Sequence, residues 1–207
     1  MITYSGVHIQ TIGGDAGTPT AMDIAVHAGR ICRFGGAVWY PLLPHLVFVG
    51  LLAYRRSGSL MNAVWGFLHD AHEVVTCDVP RPFKCDCMRR EQSALDERII
   101  KRFVGAATID TDLIKRCDLD ACDMEAITLG LPGYREVKAS AVDSYRAYQS
   151  GVHEDAADVA ILHRILKSPF YKNTTWENSE GVWMFARMLS HAEQRDWDAL
   201  KTVIEAW

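Results

Sequence analysis

His69-Asp70, inside Trp65-Gly-Phe-Leu-His-Asp-Ala-His-Glu73, sets an imidazole nitrogen beside a carboxylate oxygen near the end of an apolar stretch. Such a pair can give two ligands to one metal ion. A catalytic metal needs further protein ligands and an open position for water. His45 upstream and Asp118 downstream can complete the set, each in a segment that reads as helix, so that three helices converge on one ion. Two imidazoles with two carboxylates suit a borderline-to-hard divalent ion (Zn²⁺, Co²⁺, Mn²⁺ or Fe²⁺) and would be unusual for Ca²⁺. Taken alone, the dipeptide is common by chance, and a histidine on an apolar face is more often a satisfied core residue than a ligand.

The six cysteines give a weaker prospect. Cys85-Asp86-Cys87 is a C-x-C pair, and Cys117 and Cys122 are five apart, whereas structural zinc sites use C-x₂₋₄-C pairs. With no basic segment followed by an apolar one at the N-terminus, reduced thiols in a cytoplasm are expected.

The elements that must position these groups are helical. The chain has 207 residues, 49% hydrophobic and 23% charged, which fits a single all-α domain over 1–207. Its 22 basic and 26 acidic residues give a net charge of −4, without the basic footprint of a dedicated nucleic-acid binder. A local basic pocket would still suffice for a small phosphorylated ligand. The most apolar stretch, residues 38–54, carries Pro41, Pro44 and His45 and falls short of the ~20 uninterrupted apolar residues of a membrane span. Pattern and breakers predict helices over 21–31, 44–54, 60–75, 89–105, 110–129, 135–149, 154–167, 177–195 and 196–207. Thr20 and Ser59 are the expected caps of the first and third. Residues 1–20 read as extended and turn-rich, with a possible short strand over 7–12. Leu113, Cys117, Asp120 and Met124 share a helix face. Asp120 and Asp123 read as a solvated acidic face.

The residues around His69-Asp70 carry a resemblance. His69-Asp-Ala-His-Glu73-Val-Val-Thr-Cys-Asp78-Val-Pro-Arg-Pro82-Phe-Lys84 resembles the H-D-A-x-E-x-x-x-x-D-x-P-x-P-x-K segment of HD-domain nucleotide phosphohydrolases. The branch it resembles contains bacterial 5′-deoxynucleotidases and phage dNTP triphosphohydrolases. Asp23-Ile-Ala-Val-His-Ala-Gly-Arg-Ile-Cys-Arg33-Phe-Gly-Gly36 is similar to that branch's D-I-A…I-C-R-F-x-G segment. Ile114-Lys-Arg-Cys-Asp118-Leu-Asp-Ala-Cys-Asp-Met-Glu125 is similar to its K-x-A-D…E helix. The resemblance spans residues 23–125, about half the chain.

It implies an HD-domain helical bundle in which His45, His69, Asp70 and Asp118 bind the metal. Glu73 is then the general acid/base and Asp78 a second carboxylate of the site. Arg33 and Lys84 hold phosphates, as a guanidinium fork and a point-charge ammonium can. Phe34 and Pro82 sandwich the base. An additional Mg²⁺ or Co²⁺ can ride on the substrate's phosphates. Ahead of His45 the chain reads Trp39-Tyr-Pro-Leu-Leu-Pro44, where the family has a Y-S-V-A-Q/E-type segment. His27 is the competing candidate, but it precedes Arg33, out of the family's order. Glu125 matches a family position and is given no chemical role. His72, three residues past His69, is expected beside the site or exposed.

The implied activity is metal-dependent hydrolysis of a purine deoxynucleotide. Its sharpest form is a dATP triphosphohydrolase giving deoxyadenosine and triphosphate, which depletes dATP in phages whose genomes carry 2-aminoadenine. Arg81, Arg89 and Arg90 are candidates for contacting a longer phosphate chain. The alternatives are a 5′-deoxynucleotidase acting on dNMPs and a catalytically inactive HD-fold nucleotide-binding module. Residues 130–207 carry no motif; Trp176, Trp183, Phe185, Trp197 and Trp207 either complete the core or form the interface of the homo-oligomer the resemblance implies.

Overall fold

The computed structural model describes residues 2–9, 17–79, 83–131, 156–172 and 180–207. The expected helix over 135–149, Arg81, Pro82 and Trp176 lie outside the described residues. Those that are described form helices and turns, with two isolated β-bridges, Ile2 to His8 and Cys32 to Pro41, and no strand.

Thr20 caps α1 (Ala21–Ala28) through a reciprocal pair. Its hydroxyl accepts the Asp23 N–H (3.1 Å) and the Asp23 carboxylate accepts the Thr20 N–H (2.9 Å). The same carboxylate accepts the Ser5 N–H and hydroxyl, both at 2.7 Å, tying the N-terminal segment to α1. Asp23 is therefore a structural residue.

Next comes a loop closed by two backbone bonds, Arg33 N–H to Tyr40 O and Leu42 N–H to Ile31 O, both 2.8 Å. Its tip is left-handed at Phe34, Gly35 and Gly36 (φ 55°, 60° and 78°). Two glycines accept this freely; Phe34 does so at a cost of about 1–2 kcal/mol.

The long α2 (Leu42–Ser57) runs through the middle of the molecule, and Leu42 to Ala53 are all buried. A helix buried on every face belongs to a core. This explains the apolar run at 38–54, and no described helix is long and apolar enough to cross a membrane. After Gly58 the chain folds back as α3 (Leu60–Leu68), capped by Ser59. Gly50 and Gly66, equidistant from that turn, let the two backbones touch: a Cβ on Gly66 would lie 2.7 Å from Gly50 Cα.

The predicted helix over 60–75 is broken. α3 stops at Leu68, turns occupy 69–72, and a single helical turn, α4 (Glu73–Thr76), follows. The backbone tightens there, with Ala71 N–H to Leu68 O (2.8 Å) and Glu73 N–H to Asp70 O (2.9 Å). The His69 ring also takes a carbonyl of the last α3 turn, Gly66 O at 2.8 Å. His69 and Asp70 thus sit at a helix end rather than inside a helix.

The remaining helices are α5 (Asp86–Phe103), α6 (Thr111–Thr128), α7 (Ala156–Lys167), α8 (Pro169–Lys172), α9 (Glu180–Glu193) and α10 (Trp197–Glu205). α2 packs against α3, α6, α7 and α8, while α1 packs on α9, which also meets α5, α8 and α10. One contiguous apolar core joins them. Phe170, Phe185, Leu200 and Ile204 complete it from the C-terminal third, whereas Trp183 is exposed.

Candidate metal centre

Three helices meet at one point. His45 comes from the first turn of α2, His69 and Asp70 from the end of α3, and Asp118 from the middle of α6. One ligand atom from each lies within 4.8 Å of the others. His45 Nε2 is 3.3 Å from His69 Nε2, 3.2 Å from Asp118 Oδ1 and 3.9 Å from Asp70 Oδ2. His69 Nε2 is 3.4 Å from Asp70 Oδ2 and 3.5 Å from Asp118 Oδ1. A cation about 2.1 Å from each donor would put neighbouring donors roughly 3.0–3.4 Å apart; the separations of 3.2–3.5 Å suit a single ion, and the 3.9 Å between His45 and Asp70 is wider.

The other ring nitrogens decide which lone pairs face inward. Gly66 O can only accept, so His69 Nδ1 donates to it and Nε2 keeps its lone pair. His45 Nδ1 lies 2.9 and 3.0 Å from the two Glu125 oxygens and donates to that carboxylate, leaving Nε2 toward the cluster. A histidine held through its far nitrogen by a carboxylate or a carbonyl is the arrangement that fixes metal-binding imidazoles. Glu125 is fully buried and also accepts the Tyr40 hydroxyl at 2.9 Å. Burial, the nearby Glu125 charge and that bond hold the Tyr40 phenol well above its ordinary range.

The charges bear out a cation-seeking cluster. Burial works against His69 protonation, yet Asp70 and Asp118 overcome it and raise its proton affinity. Burial also opposes ionisation of Asp70 and Asp118, and the histidines facing them hold both carboxyls below the usual range. The same negative potential favours positive charge between these groups.

Arg33 is buried beside the cluster. Burial disfavours its charge, but Glu125 and Asp70 more than offset this and keep it protonated. Its contacts are loose: Nη1 to Asp70 Oδ2 is 3.5 Å and Nε to Glu125 Oε2 is 3.8 Å. Its guanidinium lies 5.6 Å from the Phe34 ring centroid. Glu73 is buried, with Oε1 3.5 Å from Lys84 Nζ. Burial first, then Asp70 and Asp78, pushes its carboxyl up to about 8, against the pull of Lys84 and Arg33. Asp78 is half-buried just beyond α4. Arg89 and Arg90 are exposed in the first turn of α5.

The structure thus brings together His45, His69, Asp70 and Asp118, with Arg33 and Glu73 beside them and Lys84 paired to Glu73. His27, on α1, is not in the cluster. One expectation, for Asp123, needs correction, and of the two alternatives for His72 the structure takes the position beside the site. Asp123 is buried rather than solvated, because the C-terminal half of α6 is enclosed on nearly all sides. His72 is buried and pairs with Asp96 of α5 (Nδ1 to Oδ1, 2.9 Å). Glu125 was the functional residue left without a role. Its signal was its spacing, seven residues after Asp118, which puts both carboxylates on one face of α6. All six cysteines are free thiols.

No family model matches the chain, and neither the curated proteins nor the solved structures contain a match.

Proposed function

We propose that the chain is a metal-dependent deoxynucleotide phosphohydrolase of the HD-domain kind, whose preferred reaction converts dATP to deoxyadenosine and triphosphate. The observation that supports this most is the convergence of His45, His69, Asp70 and Asp118, with both Nε2 lone pairs turned inward, beside a buried and loosely paired arginine. A divalent ion held there supplies Lewis acidity and makes water acidic enough to attack near neutral pH.

The chain's own residues do the rest. Arg33 has no contact closer than 3.5 Å to its carboxylate partners, so a phosphate oxygen can compete for its fork. Lys84 adds a second positive charge next to Glu73. When water oxygen bonds to the α-phosphorus and the bond to the 5′-oxygen breaks, that oxygen needs a proton. Glu73, inclined by its surroundings to hold one, delivers it. Phe34, half-buried at the tip of the loop that carries Arg33, offers a ring to the base.

The test is a product assay on each dNTP, rNTP and dNMP with Mn²⁺, Co²⁺ or Mg²⁺, resolving phosphate from triphosphate. Triphosphate with deoxyadenosine from dATP is expected. Phosphate from dNMPs alone reassigns the reaction to a 5′-deoxynucleotidase. No product from folded, metal-loaded protein leaves a nucleotide-binding module. Hydrolysis retained by Asp70→Ala overturns the metal mechanism.

A further inference from the structure

Cys85 and Cys87 follow directly on Lys84, and both thiols are exposed. Residues two apart inside a helix do not face each other. These two meet because Cys85 is the N-cap of the 18-residue α5 and has extended backbone (φ −74°, ψ 165°), while Cys87 is already in the first turn. The Cys87 S–H donates to Cys85 Sγ. Cys85 Sγ also accepts the Met88 N–H at 3.5 Å, which sets it at the positive end of the helix. These two bonds hold the Cys85 thiol below its ordinary value, and donation holds the Cys87 thiol above its own. One sulfur is thus prepared as a nucleophile, and a second thiol stands within its reach. Cys77 gives the contrast. It is exposed too, but it follows the end of α4 rather than opening a helix, and the next thiol in sequence is Cys85.

A thiol caps a helix less well than a serine or an aspartate does, so its place at the start of α5 asks for a reason other than stability. We propose that Cys85 and Cys87 are a reversible redox site for a small-molecule disulfide, and that closing the bond between them undoes the cap of α5. The Cys85 thiolate attacks one sulfur of the reagent, whose S–S bond breaks and releases a first thiolate. Cys87 gives its proton to solvent and attacks Cys85 Sγ, releasing the second. Two electrons pass from the pair to the reagent, which ends as two thiols. A disulfide draws its Cβ atoms to about 3.5–4.5 Å, which a helical turn does not offer to residues two apart. The first turn therefore opens and the Met88 N–H loses its acceptor. Lys84 precedes the cap, with Nζ 3.5 Å from Glu73 Oε1, so this ion pair shifts as the cap opens.

The reduced chain is incubated with glutathione disulfide, quenched with iodoacetamide and cut with trypsin. Cleavage after Lys84 and Arg89 gives Cys85-Asp-Cys-Met-Arg89, which holds this pair and no other cysteine. The peptide should lose both alkylation sites and weigh two hydrogens less than the dithiol, and dithiothreitol should restore both sites. Cys87→Ser should stop at a glutathione adduct on Cys85. Cys85→Ser should leave Cys87 open to alkylation. Cys77 should react more slowly than Cys85. Amide exchange over 86–89 should quicken in the oxidised chain. A glutathione adduct that persists on Cys85 in the unaltered chain, or Cys77 reacting as fast, overturns the redox site; unchanged exchange overturns the uncapping. If the phosphohydrolase reading holds, oxidation lowers dATP turnover and dithiothreitol restores it. Turnover that is the same in both states overturns the link to Lys84. A disulfide that forms in a chain with no hydrolysis in either state counts against that reading and leaves the redox site standing.

Discussion

Changing Glu125 to glutamine alters almost no volume and should damage the candidate metal centre severely. The carboxylate has two oxygens and needs both. Oε1 takes the His45 Nδ1–H and the Tyr40 hydroxyl, each at 2.9 Å, while Oε2 lies 3.0 Å from Nδ1 and 3.8 Å from Arg33 Nε. Glutamine has one oxygen. If it stays with His45 and Tyr40, the amide NH₂ points at a guanidinium N–H. If it turns, the NH₂ faces His45 Nδ1, the ring must carry its proton on Nε2, and the lone pair is lost from the cluster. Loss of the Arg33–Glu125 attraction alone is about 4 kcal/mol at an effective dielectric near 20. The smaller desolvation cost of a neutral amide offsets part of this, and a net destabilisation of about 2 kcal/mol is expected. Partners that orient a metal-bound histidine are worth roughly 10–100-fold in affinity, or about 1.4–2.8 kcal/mol. Competition with a chromophoric chelator for Co²⁺ measures the affinity, and urea unfolding of metal-free protein measures the stability. Tyr40→Phe, which removes one hydrogen bond and no charge, should lower affinity much less. Affinity within twofold of the parent and an unchanged urea midpoint in Glu125→Gln would refute the reasoning.

Three further changes probe the scaffold. Gly66→Ala forces a Cβ to 2.7 Å from Gly50 Cα and should cost about 1–3 kcal/mol in urea unfolding; a parental midpoint would mean that α2 and α3 do not cross there. Asp158, 1% exposed on α7, receives Arg56 at 2.8 Å and Arg55 at 3.0 Å from the end of α2. Asp158→Ala should cost about 3 kcal/mol, and a loss within experimental error would show the pairs to be idle. At Asp23, burial opposes ionisation, but hydrogen bonds from Ser5 and Thr20 outweigh it and lower the carboxyl below its ordinary value. A lowered folded pKa means that its stabilisation is complete above about pH 4 and lost as the pH falls through that lower value. Asp23→Asn should therefore lower Tm at neutral pH and flatten its acid dependence; an unaltered slope between pH 2 and 5 would contradict this.

Helix starts were legible wherever a strong cap marked them. Thr20, Ser59, Asp110 and Asp196 each accept a backbone N–H of the first turn, and the expected and observed starts agree to within one residue. Where Pro41 and Cys85 stand at the cap, the helices begin two or three residues before the expected position. Neither residue type announces itself: proline offers no capping side chain, and a thiol is a weak acceptor. The break after Leu68 was hidden for another reason. The apolar period continues across it, and only the His69 ring's hold on Gly66 O and the tightened turn reveal it.

In the site, His69-Asp70 and the order of the motifs pointed to the convergence of four side chains. The groups that orient them act across distances in sequence that no motif spans: Tyr40 meets Glu125 85 residues on, and His72 meets Asp96 24 residues on. The resemblance raised Glu125 without a role, and the acidic run before it read as solvated at Asp120 and Asp123, since such a run on a helix usually is. Burial reverses that reading at Asp123. Asp70, Asp118 and Glu125 stand within reach of the two histidines, with Arg33 the basic side chain paired to them. Enclosing so many carboxylates in a low dielectric is costly unless positive charge joins them. Without a cation, His69 must carry a proton to hold them together, which occupies the very lone pair the cluster presents. Proton and metal would therefore compete for one nitrogen, and a divalent cation held by the four side chains would offset the excess of negative charge.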